Sequence, residues 1–196
     1  MRLKAGRPDL RQYAGNFAVA PAAPDAPLNV TWLGVATLLL DDGESAIMTD
    51  GFFSRPGLAR VAAGRLASSH PRVDGCLARA GVHRLDAVVC VHSHYDHAMD
   101  AALVSDRTGA VLVGGESTAN IGLGYDLPRE QIRVMSSEET VRFGAFDITL
   151  VASHHCPPDR YPGVITEPVR APVRTSAYKC GESWSVLVFH NPTGRR

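Results

Sequence analysis

The chain has 196 residues, 45% of them hydrophobic, enough for one sizeable core and hence one domain. Its 20 Lys and Arg residues balance 20 Asp and Glu, so no electrostatic footprint points to nucleic acid or an anionic membrane. No run approaches the ~18 apolar residues that a membrane span needs, and the N-terminus lacks the continuous apolar segment of a secretory leader. Four widely spaced cysteines, Cys76, Cys90, Cys156 and Cys180, form no Cys-x-x-Cys and read as reduced thiols of a cytoplasmic protein.

Residues 1–28 mix charge with Ala and Pro and end in a Pro-rich run from Pro21 to Pro27, which predicts an N-terminal arm ahead of a domain over 29–196. Val30–Leu33 and Ala36–Leu40 read as strands around Gly34. Asp41-Asp42-Gly43 supplies the next turn, and Ser45–Thr49 returns as a third strand that runs into Asp50-Gly51-Phe52-Phe53. Apolar spacing predicts helices over Leu58–Leu66 and Val73–Ala80, the second stopped by Gly81.

The apolar run Ala87–Val91 predicts a buried strand, and directly behind it stand His92, His94, Asp96 and His97. Imidazole and carboxylate are ligands for zinc, iron or manganese at neutral pH. In an extended segment His92 and His94 point the same way and clasp one ion, while Asp96 and His97 face a second.

Further on, a helix is predicted over Asp100–Thr108, a strand over Val111–Val113, a helix over Ser117–Leu123 and a strand over Ile132–Met135, the alternation of a layered α/β sheet. Gly122-x-Gly124 lacks the strand-to-helix setting of a dinucleotide loop. Thr140–Phe143 and Phe146–Val151 read as a hairpin about Gly144-Ala145. Its second strand runs out into His154 and His155, which compete as a further ligand, with the Cys156 thiol as a softer alternative. Residues 156–180 are Pro-rich and without periodicity, a candidate lid whose Arg160, Tyr161, Arg170, Arg174 and Lys179 could meet an anionic substrate. Trp184–His190 closes as an alternating strand before a turn at Asn191–Gly194. No Gly-x-Ser-x-Gly occurs, which argues against a serine hydrolase.

The stretch His92-x-His94-x-Asp96-His97 after a strand resembles the metal motif of the metallo-β-lactamase superfamily, and the opening Trp32-Leu33-Gly34-x-Ala36-Thr37 resembles that family's first strands. The resemblance implies a metallo-β-lactamase-like αββα sandwich, its N-terminal half plus the start of the second half. It implies His92, His94 and His155 on a first metal, His155 preferred to His154 because it stands directly before the break in chain direction. Asp96 and His97 would serve a second metal, Asp96 otherwise acting as a catalytic base. Asp50 would support the histidines from behind.

The implied cofactor is Zn2+, one ion or two, with Mn2+ or Fe2+ as alternatives. The implied reaction is hydrolysis of an ester-like bond in a small molecule, closest to the phospholipase-D-like and lactonase-like branch. Members that hold two irons for redox chemistry carry an acidic residue where His94 stands here. The family's second half donates a bridging aspartate and a last histidine. His190 lies too early to be that histidine, so the expectation is a C-terminally incomplete domain with a weak second site and an exposed edge prone to self-association. A non-catalytic interaction module that keeps its histidines as a metal clip is the competing reading.

Overall fold

The computed structural model of the protein describes residues 10–17, 23 and 25–196. Of the predicted N-terminal arm it includes a 3-10 turn at Leu10–Tyr13 and the one-turn helix α1 (Ala14–Phe17). The rest of the arm, residues 1–9, 18–22 and 24, lies outside the described residues.

Alternation and turn chemistry build the first edge. Strands β1 (Asn29–Gly34), β2 (Thr37–Asp41) and β3 (Ala46–Thr49) form an antiparallel meander. Helices α2 (Leu58–Ala63) and α3 (His70–Ala80) follow. Helix α2 is shorter than its apolar spacing predicts and stops at Gly64. Helix α3 starts earlier, with Pro71 in its first turn, where the missing N–H leaves no bond unmade.

Strand β4 (Ala87–Val89) is buried at all three residues, as a strand covered on both faces must be. Then come α4 (Tyr95–Ala98), α5 (Ala101–Thr108), β5 (Val111–Gly114), α6 (Glu116–Gly124) and β6 (Ile132–Val134). Strands β3 to β6 run parallel, completing a six-stranded sheet in sequence order. Strands β7 (Thr140–Phe143), β8 (Phe146–Ala152) and β9 (Trp184–His190) form a separate antiparallel sheet.

Two cores hold the layers. One packs Met48, Val88 and Leu112 of the large sheet against Leu77 of α3 and Leu103 and Val104 of α5. The other lies between the sheets, where Ile47, Val89 and Val113 meet Phe146, Ile148 and Leu150, the inward residues of alternating β8. The α/β layering expected from the sequence is thus present.

The predicted strand at 87–91 ends two residues early, so His92 and His94 stand in the loop beyond β4 and not on the strand itself. The backbone past Val89 finds other partners. Cys90 N–H still donates to Val113 O, but Val91 N–H donates to the Asp50 carboxylate and Ser93 N–H to Cys180 O. His94 then caps α4, so Tyr95, Asp96 and His97 lie on a single helical turn.

Candidate metal centre

The candidate site lies at the carboxyl ends of strands, where open α/β sheets place their ligands. His92 and His94 follow β4, Asp50 follows β3, and His155 follows β8. The chain past β4 is tied to the second sheet, because Trp184 N–H at the start of β9 donates to Val91 O.

The rings of His92, His94 and His155 sit 4.7 to 4.9 Å apart, centroid to centroid, each pair edge to face at 75–85°. One ligand nitrogen from each lies within 4.8 Å of the others. His92 Nε2, His94 Nε2 and His155 Nδ1 are buried and have no hydrogen-bond partner. A buried polar nitrogen without a partner loses about 1–3 kcal/mol, so three facing one another are hard to explain unless something else satisfies them. A divalent ion does so, and the donor set fits one.

Two of the rings, His92 and His94, are also held towards the neutral state that coordination needs. Burial first, then the neighbouring His97, His94 and His155 rings, pull the His92 pKa down to about 3. Burial and His155 lower His94 too, against the opposing pull of Asp159.

Asp50 stands at a left-handed backbone position (φ 55°) and is fully buried. Its Oδ1 accepts Val91 N–H at 3.0 Å and its Oδ2 accepts from His97 Nδ1 at 2.8 Å. The carboxylate therefore sets the height of the metal stretch and favours the His97 tautomer protonated at Nδ1, whose Nε2 carries the lone pair a metal would take. Burial works against a charged His97, but the hydrogen bond and charge of Asp50 outweigh it and the His97 pKa is raised. Asp50→Asn keeps the shape and loses the charge. Affinity for a first-site ion, measured by competition with a chromogenic chelator, should fall about 10–100-fold; an unchanged constant would remove Asp50 from the site.

His154 is exposed, whereas the half-buried His155 points its Nδ1 inward. Cys156 is exposed and belongs to no ligand cluster among the described residues. Asp96 and His97 belong to no group of three converging ligands among the described residues. His190 sits at the far end of β9, where its Nε2 donates to Asp42 and its Nδ1 meets Thr193.

Sequence reasoning missed two residues, Asp159 and Cys180. Asp159 Oδ1 lies 3.4 Å from His94 Nε2, and His94, Asp159 and Cys180 form a second cluster with ligand atoms within 4.8 Å. Asp159 follows His155 by four residues in a loop that displays only its cations and aromatic rings to a pattern search. Cys180 lies 86 positions after His94, and no local signal links the two.

Beside the cluster runs a groove of about 610 Å³ lined by Leu58, Val61, Tyr95, Asp96, Arg160 and Tyr161, among others. It is walled mainly by apolar side chains, with Asp96 and Arg160 the charged ones.

Two layered sheets with imidazoles converging at their strand ends define a metal-binding α/β sandwich. Residues 29–177 match the model of the beta-lactamase superfamily domain, and the chain belongs to that superfamily, with the metallo-β-lactamase fold. Relatives include a UPF0173 metal-dependent hydrolase of Anaeromyxobacter sp. (strain K), 27% identical over 139 residues, covering 69% of this chain and 45% of the relative. Another is the UPF0173 metal-dependent hydrolase MK1542 of Methanopyrus kandleri, 29% identical over 128 residues, covering 65% of this chain and 47% of the relative. The chain thus spans about half the length of the curated relatives it matches. Among solved structures it is similar to the metallo-beta-lactamase SMB-1 (17% identity, TM-score 0.48, 82% of this chain and 60% of that one). It is also similar to Igni18, a metallo hydrolase from Ignicoccus hospitalis (16% identity, TM-score 0.46, 84% and 56%).

Proposed function

We propose that the chain is the metal-binding part of a hydrolase that cleaves an ester-like bond, a phosphodiester or lactone, in a small molecule. The observation that carries this reading is the convergence of three buried, unpartnered imidazole nitrogens from His92, His94 and His155. Zinc suits three imidazoles best, with Mn2+ and Fe2+ as alternatives. Such an ion supplies Lewis acidity and a water made acidic enough to ionise near neutral pH.

The chain's own residues do the rest. Asp50 holds His97 and, through Val91 N–H, the backbone of the histidine stretch. Asp96 lines the groove beside His94 and His155, where it serves as base or as ligand to a second ion together with His97. The apolar wall of Leu58, Val61 and Tyr161 would seat a hydrocarbon part of the substrate and keep water away, with Arg160 placed for an anionic group. No helix among the described residues is long and apolar enough to cross a membrane. The four cysteines are free, which suits a cytoplasmic setting. Exposed Val30 and Trp32 on the edge strand β1 favour self-association.

The test is turnover of chromogenic phosphodiesters, lactones and carboxylic esters by the zinc-loaded chain, with and without chelator, and light scattering on the same sample for its mass. Chelator-sensitive turnover is expected, with Asp96→Ala slower by about 10²–10⁴-fold, the range for losing a positioned base. Stoichiometric zinc with no turnover of any of the three would instead favour the non-catalytic clip. One observation already speaks for that second reading, since the Asp159 carboxylate stands close enough to His94 Nε2 to fill a fourth position on the ion. A monomer mass at all concentrations would remove the self-association.

A further inference from the structure

We infer that His94, Asp159 and Cys180 are a second, thiolate-containing ligand set, which takes a thiophilic divalent ion such as zinc or cobalt in competition with the three-histidine set. This rests on the metal-binding part of the function proposed above.

The geometry at His94 is the first observation. Its Nε2 is buried, lacks a hydrogen-bond partner, and stands 3.4 Å from Asp159 Oδ1. Two ligands on one tetrahedral ion, each about 2.0–2.1 Å from it, sit about 3.3 Å apart. The pair therefore has the spacing of two ligands with an ion between them. Cys180 Sγ completes a set whose ligand atoms all lie within 4.8 Å, so closing on an ion needs shifts of about 1 Å. The Cys180 side chain is nearly buried.

The second observation is how firmly the loop is fastened over His94. Cys180 N–H donates to Tyr161 O at 2.7 Å, and Cys180 O accepts Ser93 N–H at 2.9 Å, one residue from the metal-facing histidine. Ser93 Oγ donates to Lys179 O. Asp159 Oδ1 also accepts Tyr161 N–H at 3.2 Å, and Gly181 N–H donates to Gly163 O. Gly181 sits at φ 65°, and any side chain there would run into Ser93 and Ser117, so the backbone passes as close to the metal stretch as it can. Both ends of the segment from Asp159 to Cys180 are thus pinned beside His94 without any ion.

His94 Nε2 has one lone pair, so an ion bound through Asp159 and Cys180 takes His94 away from His92 and His155. Thiolate, carboxylate and imidazole together select softer ions than three imidazoles do.

The probe is Co2+ added to the reduced full chain, read by thiolate-to-cobalt charge-transfer absorption in the near ultraviolet. His92→Ala breaks the three-histidine set and spares the other, so at saturating Co2+ this variant should show the band at about one ion per chain. The band should vanish in His92→Ala/Cys180→Ser and persist in His92→Ala/Cys156→Ser. Wild type that binds Co2+ while His92→Ala binds none, or binds it without a thiolate band, overturns the inference and leaves the three-histidine centre standing. A band that follows Cys156 overturns it as well. Wild type that binds no Co2+ defeats both this inference and the metal reading beneath it.

Discussion

His155→Ala should lower the affinity of the chain for its first divalent ion by more than the roughly 10–100-fold that removing a supporting partner costs, whereas His154→Ala should leave it within about twofold. The two histidines are adjacent in sequence, and their side chains leave the end of β8 towards opposite environments. His154 is exposed, while His155 Nδ1 is buried and the His155 ring lies 4.8 and 4.7 Å, centroid to centroid, from the rings of His92 and His94. Deleting one of three imidazoles removes a ligand and leaves the other two nitrogens buried and unsatisfied. Isothermal titration with Zn2+ on both variants checks this. Loss of affinity in His154→Ala with retention in His155→Ala would mean the strand end turns the other way. Weak binding that survives in His155→Ala should carry the cobalt–thiolate absorption expected of Asp159 and Cys180.

Much of this fold is legible because its signals are local. Each strand proposed from an apolar or alternating run is found, with ends that differ by no more than two residues, since pairing partners and not propensity decide where a strand stops. Ala87–Val91 shows the limit. Propensity continues to Val91, but the Asp50 carboxylate takes Val91 N–H and the strand ends at Val89. The turn of helix at Tyr95–Ala98 left no trace in the pattern, because one turn has no periodicity to read. The histidines His92, His94 and His155 drew notice by residue type and by position behind strands, and the chain brings those three together. Asp159 and Cys180 did not, because only the folded loop carries them to His94. Cys156, the thiol singled out from its place beside His155, faces solvent instead.

Asp100→Ala should destabilise the protein by about 3–5 kcal/mol, the range for leaving a buried charge-linked network without its centre. The sequence places Asp100 as the first residue of the helix that follows, and it stands one position ahead of it, at the N-cap. Its carboxylate makes no capping hydrogen bond and reaches across the chain instead. Oδ2 accepts Phe53 N–H at 2.8 Å and Ser54 N–H at 2.6 Å, and Oδ1 accepts the Ser54 hydroxyl at 2.7 Å. Ser54 Oγ in turn accepts Ser69 N–H ahead of α3. Phe53, Ser54 and Asp100 are all buried, so without the carboxylate two backbone donors and a hydroxyl face an apolar space. Against a total stability of about 5–15 kcal/mol, that is a large fraction. Asp100→Asn should recover only part of it, because one amide oxygen cannot serve both sides of the clamp and the amide N–H groups point donor to donor at the other.

The clamp holds the segment that begins with Asp50, and Asp50 holds His97. The loss should therefore reach the metal centre, with a weaker first-site ion in Asp100→Ala even at temperatures where the chain stays folded. Urea unfolding of the metal-free variants measures the stability term, and Zn2+ titration of the folded protein measures the coupling. A midpoint change worth less than about 1 kcal/mol, the size of a single ordinary hydrogen bond, would show that water or a local shift replaces Asp100. Unchanged zinc affinity beside a large loss of stability would show instead that the 50–54 segment holds Asp50 in place without the clamp.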